Sequence, residues 1–146
     1  MRRRNVGQPA LRIRSVEKHH SLLGVPLMTS SPRFQKLVAA AKSQIREISA
    51  PAAIERQKAG TLLIDVREAD DYRKEHATDA TSLSRGVLEM KIEEIAPDLS
   101  ASIICYCGGG SRSALAVESL QRMGYTNAVS MAGGFKDWKE RNLPTS

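Results

Sequence analysis

Cys105 and Cys107 are the two cysteines of the chain, and the second opens the stretch Cys107-Gly108-Gly109-Gly110-Ser111-Arg112-Ser113. Three consecutive glycines give up more backbone freedom on folding than any other residues and pack no core, so their place beside a thiol calls for a chemical reason. Glycines let a backbone curl until successive N–H groups point at one centre, making an anion-binding nest, and the positive end of a following helix adds to it. Arg112 contributes a full charge. Such surroundings favour thiolate over thiol. Cys107 is therefore the expected nucleophile, with Gly108, Gly109, Gly110, Ser111, Arg112 and Ser113 as the expected substrate-binding residues around it.

Other chemistries fit this spacing poorly. A P-loop needs a lysine after its glycines at a fixed place, and none stands there. A zinc centre needs more ligands than Cys105, Cys107, His19, His20 and His76 supply, so neither a metal nor a cofactor is expected. Residues i and i+2 of a strand lie ~6.6 Å apart at ~3.3 Å per residue, near the upper limit of disulfide geometry. A reducing, cytoplasmic setting is the matching expectation. Cys105 lies inside an apolar run and reads as a core residue, with a resolving role towards Cys107 as the alternative.

The elements that must hold this loop follow from punctuation and period. Ser31 and Pro32 open a helix with apolar residues at spacings of three and four, and a short edge strand follows within Ile45–Ser49. Ala50–Gly60 reads as a second helix ended by glycine, and Thr61–Val66 as a buried strand, apolar without alternation as both-faces burial requires. A short helix over 69–74, a weak strand over 80–83 and a helix over 87–95 come next. Ser102–Tyr106 is the second strongly apolar strand, followed by a helix over 113–123, a strand over 128–131 and a helix over 133–142 that stops before Pro144. Strands alternating with helices at this spacing imply an α/β domain with a central, mainly parallel sheet covered by helices on both faces. In such sheets the site lies at the carboxyl ends of the strands.

The net charge is +6 and the pI about 9.6. Arg2, Arg3, Arg4, Arg12, Arg14 and Lys18 against Glu17 place +5 of this in residues 1–27. A basic footprint confined to an extension, with no nucleic-acid-reading motif, argues against nucleic acid as the partner of the folded body. The longest apolar run there, from Leu22 to Met28, is short and broken by Gly24 and Pro26, so no membrane anchor is expected. Residues 1–30 read as a basic, disordered extension and residues 31–146 as the domain.

Over roughly Ile45–Pro144 the ordered motifs resemble the rhodanese-like sulfurtransferases of the small single-domain type: "LLIDVRE", "DYRKEH", "RGVLE", "YCGGGSRSALA" and "MAGGFKDWKERNLP". The resemblance implies sulfur transfer from a donor such as thiosulfate to a thiol, cyanide or acceptor protein, through a persulfide on Cys107. One departure stands out. Where the family commonly reads Gly-His-Ile-Pro-Gly-Ala, this chain has "EHATDA", which implies either a looser turn after His76 or a neighbouring surface altered for a particular partner. Asp65 and Arg67, at the end of the strand "LLIDVR", are expected as supporting residues, by an ion pair or loop-bracing bonds rather than by direct substrate contact. His76 reads as a local hydrogen-bonding residue and Trp138 as packing. Two other readings share the fold. A cysteine-dependent phosphatase or arsenate reductase carries five residues between cysteine and arginine, where this chain has four. A non-catalytic binding module is the other, although modules of that kind often lack the cysteine.

Overall fold

The computed structural model describes residues 31–146. The extension expected over residues 1–30 lies outside the described residues. Helix α1 spans Pro32–Lys42, with Val38 and Ala41 buried. Then follow β1 (Glu47–Ile48), α2 (Ala50–Lys58), β2 (Leu62–Asp65), α3 (Ala69–Lys74), β3 (Thr81–Ser82), a 3-10 turn (Arg85–Val87), α4 (Leu88–Ile95), β4 (Ile103–Tyr106), α5 (Ser111–Arg122), β5 (Ala128–Met131) and α6 (Gly134–Glu140).

The five strands form one parallel sheet in the order β1-β5-β4-β2-β3. β4 is its centre, paired with β2 from Leu62–Ile103 to Asp65–Tyr106 and with β5 from Ile103–Ala128 to Cys105–Ser130. All four residues of β4 are buried, which is why its sequence is apolar without alternation. The edges β1 and β3 are two residues each, too short to leave more than a trace of pattern in the sequence.

Alternation along the strands divides the core in two. Ile64, Val66, Ile103, Cys105 and Cys107 face Leu88 and Ile92 of α4 and Ala116, Val117 and Leu120 of α5. Leu63, Ile104, Tyr106, Val129 and Met131 face Ala50 and Ala53 of α2 and Phe135 and Trp138 of α6. Helices thus cover both faces of a parallel sheet, the α/β architecture expected from the alternation of elements. Parallel strands need crossover connections, and these bring the loops after β2, β3, β4 and β5 to one end of the sheet.

Local signals set the boundaries. Ser49 accepts a hydrogen bond from the Ala52 N–H at 3.2 Å and caps α2, with Pro51 in its first turn. Helix α5 begins at Ser111, two residues before the sequence-based boundary. Gly110, at φ +105°, turns the chain sharply enough for Ser111 and Arg112 to be helical already.

The "EHATDA" turn is tied down rather than loose. The Ala80 N–H donates to the Ala77 carbonyl at 3.0 Å, and the Thr78 N–H donates to the Pro144 carbonyl at 3.0 Å. His76 and Ser146 exchange backbone bonds of 3.1 and 2.9 Å, and the Ala77 N–H donates to the Tyr106 hydroxyl at 3.0 Å. Asp79, at the position where the family has its second glycine, adopts φ +67°. Aspartate is among the few non-glycine residues that take this left-handed conformation at modest cost, so the turn survives the substitution.

Candidate active site

Cys107 follows β4 directly and is 1% exposed. The chain then passes through Gly108 and Gly109 and reverses at Gly110, so that the start of α5 lies against the sulfur. The Gly110 N–H donates to Sγ at 3.1 Å and the Ser113 N–H at 3.3 Å. First-turn N–H groups of a helix have no partner within it, which leaves that of Ser113 available to the sulfur. The Ser113 hydroxyl lies 3.5 Å from Sγ and 2.8 Å from the hydroxyl of Ser130, a buried serine on β5.

The remaining loop residues play different parts. A Cβ on Gly109 would meet nothing within 4 Å, and one on Gly108 would meet only the Arg112 guanidinium at 3.9 Å. Backbone geometry therefore demands glycine at Gly110 alone of the three. Gly108 and Gly109 have room for a side chain. Ser111 is half-buried in the first turn of α5. Arg112 is half-buried too, and its guanidinium makes no hydrogen bond or ion pair among the described residues. Two loop carbonyls are held from another element: the Phe135 N–H donates to Cys107 O at 2.8 Å, and the Lys136 N–H to Gly108 O at 3.1 Å.

Those two bonds come from the start of α6, an element that sequence reasoning left outside the site. Gly133 and Gly134 have φ of +82° and +58°, and a Cβ on Gly134 would stand 2.5 Å from Gly108 O and 2.6 Å from Cys107 O. The glycine pair ahead of "FKDW" was the available signal. Ser130 was also missed; its only trace is a polar residue within the otherwise apolar, wholly buried strand "AVSM".

Asp65 and Arg67 meet each other rather than the loop. Asp65 accepts from the Arg67 backbone N–H at 2.9 Å, from its Nε at 3.0 Å and from its NH2 at 2.8 Å, and also from the Tyr106 hydroxyl at 2.7 Å. Arg67 also donates to the Glu75 carbonyl at 2.7 Å, and its guanidinium lies 4.4 Å from the centroid of the Phe135 ring. Burial works to lower the pKa of Arg67, but the hydrogen bonds and charge of Asp65 outweigh it and raise that pKa. Burial, followed by the charge of Asp65, raises the Tyr106 phenol, which stays protonated as a donor. This buried network joins β2, β4 and the segment after α3, and steadies the Phe135 that holds the Cys107 carbonyl.

Cys105 is fully buried, and burial first, then the neighbouring Cys107, pushes its thiol up to about 12. It is a neutral core group. His76 sits with Nδ1 2.8 Å from the Tyr72 carbonyl and its ring stacked on Tyr72 at 3.7 Å. Trp138 is buried and donates to the Pro144 carbonyl at 2.8 Å. Among the described residues no group of three or more His, Cys, Asp or Glu could hold a metal ion, and no helix is long and apolar enough to cross a membrane.

Comparison with known proteins bears on what this loop belongs to. The chain is 31% identical over 97 residues to the thiosulfate sulfurtransferase GlpE of Pseudomonas entomophila, covering 66% of this chain and 87% of that protein. It is 38% identical over 74 residues to the thiosulfate sulfurtransferase PspE of Escherichia coli, covering 51% and 70%. An uncharacterized Synechocystis protein, 30% identical over 108 residues, is longer, and the match spans 59% of it. Among solved structures, the polysulfide-sulfur transferase homodimer of Wolinella succinogenes superimposes with a TM-score of 0.69 at 27% identity, over 78% of this chain and 87% of that one. A Rhodopseudomonas palustris protein described as a possible tyrosine phosphatase gives 0.72 at 28% identity, over 84% and 100%. The family profile described as the rhodanese-like domain matches residues 49–141, from the cap of α2 to the end of α6, and the chain belongs to that family.

Proposed function

We propose that the protein is a sulfurtransferase that carries sulfane sulfur on Cys107, taking it from thiosulfate or a similar small donor and passing it to a thiol, cyanide or an acceptor protein. The carrying observation is the convergence of the Gly110 and Ser113 N–H groups on one sulfur atom, with the uncommitted Arg112 guanidinium beside the loop. The Cys107 thiolate attacks the outer sulfur of thiosulfate. The bond from that sulfur to the sulfonate sulfur breaks, sulfite leaves with the electron pair, and Cys107 becomes a persulfide anion. An acceptor thiolate or cyanide then attacks the outer sulfur, forming a persulfide or thiocyanate and returning the Cys107 thiolate. Both leaving groups depart as anions, so neither step needs a general acid. The two N–H donors serve both anions of the cycle, and Arg112 offers its charge to the sulfonate end of the donor. Two free cysteines suit a reducing, cytoplasmic setting.

The possible phosphatase among the structural neighbours supports a second reading, hydrolysis of a phosphoester through a phosphocysteine. Four residues between Cys107 and Arg112, with the loop N–H groups closing on the sulfur itself, favour the single-atom cargo. The deciding experiment incubates the protein with thiosulfate and measures intact mass, then follows thiocyanate formation with cyanide. A gain of one sulfur atom is expected, lost in Cys107→Ser and largely kept in Cys105→Ser. Equal loss in both variants would overturn the core assignment of Cys105. Cys107-dependent hydrolysis of p-nitrophenyl phosphate without sulfur loading would replace this reading with the phosphatase one, and neither activity in a folded protein would leave a binding module.

A further inference from the structure

Ser130 is linked to the nucleophile through Ser113. Its side chain is fully buried in β5, opposite Cys105 across the β4–β5 ladder, and among the described residues its hydroxyl has one partner, the Ser113 hydroxyl at 2.8 Å. The Ser113 hydroxyl has two neighbours, Ser130 and, at 3.5 Å, Cys107 Sγ. The three atoms form a row closed off from water, with Cys107 1% exposed and both serines at 0%.

Two hydroxyl protons must be placed along this row. If Ser113 donates to Ser130, the Ser130 proton has no acceptor among the described groups, and a buried O–H goes unpaired, an arrangement that folded proteins avoid. If Ser130 donates to Ser113 and Cys107 is the attacking thiolate, Ser113 donates to Sγ, and every hydroxyl proton has an acceptor because the sulfur takes the last one. A donor behind a donor also polarises it, strengthening the forward bond. We propose that Ser130 is a positioning residue of the sulfur-transfer reaction: it orients and polarises the Ser113 hydroxyl so that Cys107 Sγ receives a third hydrogen bond beside those from the Gly110 and Ser113 N–H groups. Without Ser130 a competing partner opens. A serine hydroxyl within a helix readily turns to the carbonyl one turn back, here that of Gly109, and the third donor would leave the sulfur.

The inference rests on Cys107 being the working nucleophile of the proposed reaction, so its test reads that sulfur without any donor or acceptor. The full chain is alkylated with iodoacetamide at neutral pH, the modified cysteine is identified by mass spectrometry, and urea unfolding is followed in parallel. Ser130→Ala is expected to slow Cys107 alkylation by about tenfold, the scale of one lost polarised donor to a charged acceptor. Ser130→Thr, which keeps the hydroxyl, should restore most of the rate. In a Ser113→Ala background the further change Ser130→Ala should have no effect, because its influence passes through Ser113. A Ser130→Ala protein that loses stability but alkylates at the wild-type rate would overturn the proposal, as would an equal slowing in both backgrounds. Failure of sulfur loading with this pattern intact would count against the proposed function and leave the role of Ser130 standing.

Discussion

Replacing Gly134 by alanine probes how the active loop is held from below. The new Cβ would stand 2.5 Å from Gly108 O and 2.6 Å from both Cys107 O and Gly108 C, about 0.9 Å short of the 3.4 Å at which ordinary contact begins. All three neighbours are backbone atoms of the loop, so no side chain can swing aside. The residue also sits at φ +58°, which costs an L-residue ~1–2 kcal/mol. Moving α6 away by the overlap lengthens the Phe135 N–H to Cys107 O and Lys136 N–H to Gly108 O bonds, each worth ~0.5–1.5 kcal/mol. Together these give a destabilisation of about 3 kcal/mol. The loop itself would shift by a fraction of an ångström, and a misplacement of ~1 Å costs about a hundredfold in rate, so a loss of at least tenfold in sulfur transfer is expected. Urea unfolding followed by the fluorescence of Trp138, the single tryptophan and itself buried in α6, gives the first number. Thiosulfate-to-cyanide transfer by protein held in folding conditions gives the second. A variant within about 1 kcal/mol and threefold of wild type would show that α6 yields freely and refute the reasoning.

Two further outcomes are expected. Arg112→Ala should raise KM for thiosulfate by about tenfold while leaving the urea midpoint in place, because the guanidinium holds no loop group; Arg112→Lys should recover part of the loss, since it restores charge but not the planar fork. Glu89 provides a pH test of stability. Burial alone would raise its carboxyl, but the Ser119 hydroxyl, its own backbone and Arg85 hold it below the usual carboxylate range. A group with a lowered folded-state pKa contributes stability above its unfolded pKa and loses it as pH falls through the folded one. The stability advantage of wild type over Glu89→Gln should accordingly be full at neutral pH and shrink in acid below the ordinary carboxylate range, as read by urea unfolding across pH.

What the chain discloses about itself depends on whether a residue's task is local. β2 and β4 were legible because burial on two faces leaves an unbroken apolar run, and Cys107 with its loop because the proposed nucleophile, the turn and the helix start are contiguous. Arg112 was legible as a charge but not in its contacts, since the absence of any hydrogen bond or ion pair to its guanidinium among the described residues is set by the packed structure rather than by its neighbours in sequence. Gly134 and Ser130 lie beside the loop only because β5 and α6 return next to β4, and their local signals, a glycine pair and a polar residue in an apolar strand, do not say what they approach. The turn at Asp79 shows the converse, since a break in the expected local pattern there is made good by distant partners, Pro144 and Tyr106.

The 1% exposure of Cys107 has a consequence for which form of the protein other molecules meet. A residue sunk this far offers little surface to a bulky partner, whereas a small donor must enter the loop to reach it. Loading, as proposed, places the reactive atom one S–S bond, ~2 Å, beyond Sγ. In the proposed cycle the charged state is thus the visible one and the empty state the hidden one. A bulky acceptor can tell a laden carrier from a spent one by reach alone.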